Sequence, residues 1–188
     1  MSDIRSRASG TARNTRVIAY IDGFNLYYGM RSKGWRRYYW LDLNRLSERL
    51  LRSGQTLAGV KYFTARVLPD ENSVGKARRQ NIYLEALETL PDLSIHYGYY
   101  LPKTQRCSDC GATWQTYEEK MTDVNIAVEL LGGAQGYAFD TAILVSGDSD
   151  LTRPVQAVQA GIRAIASSWR SRPIVSLRSC ARPLPQDS

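Results

Sequence analysis

Two short apolar runs constrain the fold more than any other feature of this chain. Residues 17–21 (VIAYI) and 141–145 (TAILV) contain no charged side chain and are rich in β-branched residues. Such continuous runs are typical of strands that are buried on both faces of a parallel sheet. Asp22 follows the first run directly, and Asp148 and Asp150 follow the second within five residues. Because ligands bind beyond the carboxyl ends of parallel strands, these acids mark the edge where a site is expected.

Further strands and helices alternate along the chain. Strands are predicted at residues 60–67, 93–100 and 162–166. Helices are predicted at residues 43–51 after an Asp42 cap, at 75–89, at 122–131 up to a Gly-Gly pair, and at 154–160. Strands that alternate with helices form right-handed βαβ units. The pattern therefore predicts a three-layer α/β domain with a central parallel sheet.

Length and composition favour one globular domain between two tails. A chain of 188 residues with 43% apolar residues can bury one full core. Residues 1–15 are predicted to be a flexible basic tail, 16–168 the domain, and 169–188 an irregular basic tail. No charge-free run exceeds ten residues, about half of the ~20 that a membrane-spanning helix needs, and no signal-peptide pattern precedes the domain. We expect a cytoplasmic protein without a membrane partner.

The net charge of +7 is distributed unevenly. Residues 1–16 and 169–188 each hold four arginines and one aspartate, whereas residues 107–150 hold eight acids and one lysine. The basic tails are suited to non-specific contact with a nucleic-acid backbone. The acidic segment needs a different explanation.

Four aspartates are the candidate catalytic and metal-binding residues: Asp22, Asp123, Asp148 and Asp150. For any one of them a helix cap or a turn is the simpler interpretation. Together, carboxylates that converge without basic partners repel one another, and a divalent cation is the usual remedy. Carboxylate oxygens suit Mg²⁺ or Mn²⁺. His96 is the only histidine and is interpreted as a core or surface residue without a catalytic role. No phosphate-binding or dinucleotide-binding glycine motif exists. Metal-assisted attack on a phosphodiester is the chemistry that remains.

Three motifs now resemble a known family. They are YIDGFNL at residues 20–26, EEKMTDV at 118–124 and VSGDSDL at 145–151. Their order resembles that of NYN domains, which are a group of PIN-like nucleases. The resemblance is specifically to the LabA-like branch of these domains. The resemblance implies a Rossmann-like fold and a divalent-metal ribonuclease whose acidic cluster is the four aspartates. It also implies that Asn25 and Ser146 line the same pocket. Lys120 is a candidate contact to phosphate, with an exposed helix-start lysine as the alternative.

A cationic and aromatic stretch follows the first motif. Residues 31–40 interleave four cations with four aromatic side chains. Cations hold the nucleic-acid backbone while aromatic rings stack on unpaired bases, so Trp35, Arg36, Arg37 and Tyr38 are predicted to bind single-stranded RNA. The alternative is that these rings pack in the core or at a partner interface.

The two cysteines Cys107 and Cys110 form a C-x-x-C-G motif inside a predicted loop or hairpin insert at residues 101–117. The motif is half of a structural zinc site, which needs four ligands. Two reduced thiols are the favoured interpretation. A zinc ion, shared between the subunits of a homodimer, is left open.

Three functional hypotheses follow. The first is a Mg²⁺- or Mn²⁺-dependent ribonuclease. The second is a catalytically silent NYN module that binds RNA or protein in regulation. The third is a zinc-stabilised interaction module.

Overall fold

A five-stranded sheet is the centre of the protein. A computed structural model of the chain describes residues 14–68 and 74–168. The strands are β1 (Thr15–Asp22), β2 (Gln55–Ala65), β3 (Leu93–Arg106), β4 (Thr113–Lys120) and β5 (Thr141–Val145). They lie in the order β4-β3-β2-β1-β5, and all are parallel except β4, which is antiparallel to β3. The predicted α/β class with a central, largely parallel sheet is confirmed.

Helices cover both faces of this sheet. They are α1 (Gly23–Ser32), α2 (Leu43–Arg49), α3 (Val74–Glu88), α4 (Thr122–Gln135) and α5 (Thr152–Ser168). Neighbouring side chains of β1 enter different cores, because successive residues of a strand point to opposite faces. Tyr20 packs in one cluster with Ile126 of α4, and Ile21 packs in another with Leu84 of α3. Strand β1 is therefore buried on both faces, as its continuous apolar run predicts.

Helix α1 is absent from the sequence predictions. It begins directly after β1, and its first turn is capped by the Asp22 carboxylate, which accepts the Asn25 N–H at 3.0 Å. Gly29 and the bulky aromatic side chains around it obscure the helical pattern. The first motif is thus a strand-to-helix junction.

Helix α4 extends four residues beyond its predicted end at residue 131 and passes through Gly132 and Gly133. Gly133 lies where the helix crosses the core: a Cβ added there would approach the Tyr20 hydroxyl to 2.7 Å and the Phe139 ring to 2.9 Å. The glycine is required for close packing and not for helix termination.

The predicted fifth strand at residues 162–166 is wrong, because these residues belong to α5. The predicted helix at 154–160 lies in the N-terminal half of the same element. Pro154 lies in the first turn, where its missing N–H breaks no helical bond. Apolar residues then recur at 155, 158, 162 and 165, a spacing typical of a helix. Because several of them are β-branched, the same segment also has the composition of a strand.

The insert at residues 101–117 is a hairpin. Strand β3 continues six residues past its predicted end to Arg106, and β4 pairs with it from Thr113 to Lys120. Residues 1–13 and 169–188, and with them nearly all of the two predicted tails, lie outside the described residues. Within the described part, no helix combines the length and apolarity needed to cross a membrane.

Neighbouring glycines of α4 offer a matched test of this packing. Gly133→Ala should destabilise the protein by about 1–3 kcal/mol, because the new methyl group overpacks the contact with Tyr20 and Phe139. Gly132→Ala should stabilise it by about 0.5–1 kcal/mol, since a Cβ there meets nothing within 4 Å and alanine is the better helix former. Urea denaturation measures both, and equal effects of the two substitutions would contradict the packing role of Gly133.

Candidate functional site

The Asp22 carboxylate lies at the end of β1 and is only 2% exposed. Its Oδ1 accepts the Asn25 N–H, and its Oδ2 accepts the Asn25 side-chain amide at 2.6 Å and the Ser146 hydroxyl at 2.8 Å. Three hydrogen bonds compensate part of the cost of burying this charge. Asp22 is therefore held in one orientation.

The loop after β5 is joined to this carboxylate. Ser146, which donates to Asp22, also accepts the Asp148 N–H at 3.1 Å. The Asn25 Oδ1 accepts the Gly147 N–H at 3.0 Å. Asp148 in turn accepts the Asp150 N–H at 2.9 Å and so caps the short 3₁₀ turn Ser149–Leu151. The first and third motifs are thus connected by direct hydrogen bonds between segments about 120 residues apart.

The turn between β4 and α4 brings the second motif to the same place. Asp123 lies in the first turn of α4, and Met121 precedes the helix with a left-handed φ of 79°. Strand β3 passes directly beneath this turn: a Cβ at Gly98 would lie 2.5 Å from the Lys120 carbonyl oxygen. Only glycine permits so close an approach. The Thr122 hydroxyl, which also faces Gly98, donates to Glu119 and so stabilises the turn.

These three segments enclose a polar cleft of about 120 Å³ beyond the carboxyl ends of the parallel strands. Its lining residues are Asp22, Phe24, Asn25, Glu119, Lys120, Met121, Thr122, Asp123 and Asp148. Three of the four predicted aspartates therefore meet in one cleft. Asp150 is exposed and outside the lining, yet its charge still acts on Asp123.

The cleft carries more negative charge than its own residues neutralise. Burial, together with the charges of Asp148, Asp22 and Asp150, raises the pKa of Asp123 to about 6. Burial and the same kind of repulsion raise the pKa of Glu119. The ammonium group of Lys120 is engaged by Glu118 at 2.7 Å. A cation bound between the aspartates would relieve this repulsion.

The donor set suits a small hard cation that keeps part of its water shell. Among the described residues, no three His, Cys, Asp or Glu side chains lie close enough together to hold one ion. Mg²⁺ commonly binds through one or two carboxylates and several waters, and so does not require three. Among the described residues, no donor makes a hydrogen bond to the Asp123 carboxylate or to the Oδ2 of Asp148. These oxygens are therefore available to a ligand.

The other predicted substrate residues divide into two groups. Asn25 and Lys120 line the cleft, and Ser146 lies beneath it against Asp22. In contrast, Trp35, Arg36, Arg37 and Tyr38 lie at or beside the 3₁₀ turn Arg36–Tyr38 that follows α1, and none lines the cleft. There the Arg37 guanidinium lies 4.8 Å from the centre of the Tyr38 ring. Their role in RNA binding stays a prediction.

Four cleft residues are absent from the predicted set: Phe24, Glu119, Met121 and Thr122. Glu119 was detectable, because it belongs to the second motif and precedes Asp123 by four residues. Phe24 was harder to recognise, since its contribution depends on α1, which the sequence pattern conceals.

Cys107 and Cys110 lie at the tip of the β3–β4 hairpin, and both are free thiols. Hydrogen bonds from the backbone of Cys110 and Asp109, and from the Cys110 thiol, lower the pKa of Cys107. The described residues supply no third Cys, His or acid to form a metal group with them. Zinc at this tip stays a prediction. His96 stacks on the Phe63 ring, with 4.8 Å between the ring centres.

Comparison with known proteins identifies a family. A family model described as the NYN domain matches residues 16–185. The protein named 6-hydroxy-3-succinoylpyridine 3-monooxygenase HspA, from Pseudomonas putida (strain DSM 28022 / S16), is 29% identical over an alignment that covers 77% of this chain. The alignment covers 56% of that protein, so the chain spans little more than half the length of this relative. A solved structure, the protein of unknown function VPA0982 from Vibrio parahaemolyticus RIMD 2210633, is 19% identical with a TM-score of 0.46, covering 89% of this chain and 82% of that one.

Repulsion in the cleft predicts how stability depends on pH. The pKa of Asp123 rises on folding from 3.8 to about 6, so the folded protein binds this proton more tightly than the unfolded chain. This contribution to stability is complete below pH ~4 and is lost as the pH rises through about 6. Without metal at pH ~8, Asp123→Asn should therefore be more stable than the wild type by about 1 kcal/mol, allowing for solvent screening of a partly exposed group.

Denaturation in the presence of a chelator measures this difference, and the two proteins should converge near pH 4. Asp140→Asn is the control, because Asp140 pairs with Arg16 at 3.3 Å and its neutralisation should bring no gain. A wild type as stable as Asp123→Asn at pH ~8 would show that the cleft is not strained by like charges.

Proposed function

Because the chain belongs to the NYN domain family, we propose that it is a ribonuclease that hydrolyses RNA phosphodiester bonds with Mg²⁺ or Mn²⁺ at the acidic cleft. One observation carries the proposal: Asp22, Asp123 and Asp148 come from three distant segments and line one cleft at the carboxyl ends of parallel strands. That convergence costs electrostatic free energy, as the raised pKa of Asp123 indicates. Perturbed acids in a cleft are typical of functional sites.

We also propose that the chain belongs to the LabA-like branch of the family. The residues and the order of the three motifs at 20–26, 118–124 and 145–151 support this assignment. The relative named as a monooxygenase is a different class of enzyme, and its 29% identity over about half of its length does not carry that activity to this chain.

Asp123 and Asp148 are the proposed cation ligands, with Asp22 beneath them and Asp150 at the rim. A bound divalent cation would supply a water of lowered pKa and polarise the phosphate. The protein's own side chains hold the carboxylates in position. Asn25 and Ser146 fix the Asp22 carboxylate and, through the Gly147 and Asp148 N–H groups, the loop that carries Asp148.

Lys120 provides the positive charge nearest to a bound phosphate in this proposal. It lines the cleft and is held by Glu118, its neighbour but one on β4. An ammonium group tethered at the cleft wall can attract the substrate backbone without entering the acidic cluster.

A second candidate is the catalytically silent module that binds RNA or protein. It is favoured by the absence, among the described residues, of three metal-binding side chains close enough to hold an ion. Cleavage assays separate the two candidates: RNA bound but left intact with both Mg²⁺ and Mn²⁺ supports the silent module.

The Asp148→Asn variant tests the ribonuclease directly. Loss of one carboxylate should lower the single-turnover rate of metal-dependent RNA cleavage by about a hundredfold or more, since a cation contributes several kcal/mol and each 1.4 kcal/mol is tenfold in rate. Asp109→Asn is the matched control, because that aspartate is exposed at the hairpin tip and outside the cleft. Unchanged cleavage by Asp148→Asn would refute a catalytic role for the acidic cleft.

A further inference from the structure

A row of aromatic rings leads away from the acidic cleft. Phe24 lines the cleft, its ring lies 6.3 Å from that of Tyr100 in an edge contact, and it stacks on Tyr28 at 6.3 Å with an interplanar angle of 18°. Tyr28 contacts Tyr27 at 5.3 Å, and Tyr27 contacts Tyr39 at 5.1 Å. We call these five residues, Tyr100, Phe24, Tyr28, Tyr27 and Tyr39, the aromatic row.

The row lies on the surface and outside both core clusters. Tyr28 is 53% exposed and Tyr27 is 40% exposed, while Phe24, Tyr39 and Tyr100 are half-buried. By contrast, Tyr20 is fully buried in the core. Phe24, Tyr27, Tyr28 and Arg31 recur at helical spacing, so that one exposed face of α1 carries the rings together with a cation. The Arg31 guanidinium lies 6.0 Å from the centre of the Tyr28 ring.

We infer that the aromatic row stacks with unpaired bases of the RNA strand that leaves the acidic cleft, so that the substrate is single-stranded next to the scissile bond. This inference rests on the proposed ribonuclease for the identity of the ligand. Aromatic faces bind bases of any sequence, whereas paired bases within a duplex have no free face to offer. Arg31 adds a positive charge beside the rings for the phosphate backbone.

The aromatic row also connects the cleft with the residues further along the chain that are predicted to contact RNA. Tyr39, its last member, directly follows the 3₁₀ turn Arg36–Tyr38. The row therefore leads from the cleft towards the turn that carries Arg36, Arg37 and Tyr38. In this arrangement those residues contact nucleotides remote from the scissile bond, and Phe24 contacts the nearest one.

Binding is tested apart from cleavage in the full-length Asp148→Asn background, by fluorescence anisotropy with a labelled single-stranded oligoribonucleotide. Tyr28→Ala should weaken binding about five- to a hundredfold, the usual range for one lost stacking contact. Tyr28→Phe should bind like the parent, because the ring face is retained. Tyr137→Ala is the matched control: its tyrosine is 61% exposed, but its backbone contacts Arg16 at the start of β1, at the opposite end of the strand from the cleft.

An abasic oligomer of the same length isolates stacking from charge. The parent should bind this oligomer more weakly than the normal strand, and Tyr28→Ala should lower its affinity no further. A DNA strand of the same sequence should show the same loss with Tyr28→Ala, since stacking does not involve the 2′-hydroxyl.

Two results would overturn the inference: equal affinity of Tyr28→Ala and Tyr137→Ala, or binding of the matching duplex as tight as that of the single strand. Loss of self-association in Tyr28→Ala with unchanged RNA affinity would identify a protein interface instead. The ribonuclease proposal can fail independently of this inference. If the wild type never cleaves RNA but Tyr28→Ala weakens RNA binding, the role of the aromatic row stands and the ribonuclease proposal is refuted. If the wild type cleaves RNA but Tyr28→Ala leaves RNA affinity unchanged, only the role of the row is refuted.

Discussion

The buried Asp22 carboxylate is the interaction on which the rest of the site depends. It ends β1, caps α1 through the Asn25 N–H and accepts a hydrogen bond from the Ser146 hydroxyl in the loop after β5. A charge that is only 2% exposed persists in a folded protein only with such hydrogen bonds. Through them, one side chain fixes the direction of α1 and the conformation of the loop that carries Asp148. The cleft and the aromatic row on α1 are both consequences of this junction.

Acidic side chains are concentrated in the cleft, whereas the chain as a whole is basic. The chain has a net charge of +7, yet its parallel strands deliver carboxylates to one cleft where the pKa of Asp123 rises to about 6. A fold selected for stability alone would distribute these acids or pair them with bases. An acidic centre inside a basic protein is consistent with a cation at the reacting phosphate and basic side chains along the rest of a nucleic-acid strand.

The sequence predicts the parts of this arrangement that depend on local pattern. Continuous apolar runs identify the buried strands, and the acids after them identify the edge of the sheet. Elements whose local signals conflict are predicted less well. Gly132 and Gly133 together suggest a helix end, yet Gly133 is needed for close packing against Tyr20, and there tertiary packing overrides local propensity. The β-branched residues near 165 suggest a strand, although they belong to the long helix α5.

Prediction of the site fails for a related reason. Asp22, Asp148 and Asp150 are recognisable because they follow strand ends, and Asp123 and Glu119 because they belong to the second motif. Phe24, in contrast, joins the cleft only through α1. The aromatic row illustrates the same limit: Phe24, Tyr28 and Tyr100 are contiguous in space although Tyr100 is more than 70 residues away in the chain. Contacts between such segments depend on topology, which composition and spacing do not encode.

Crystals of the full chain soaked in Mn²⁺ provide the most direct measurement of the acidic cleft. An anomalous difference peak bounded by the carboxylates of Asp123 and Asp148 is the expected result, with further coordination by water. Soaked crystals that diffract equally well and contain no manganese between these aspartates would contradict a cation-dependent site in this cleft.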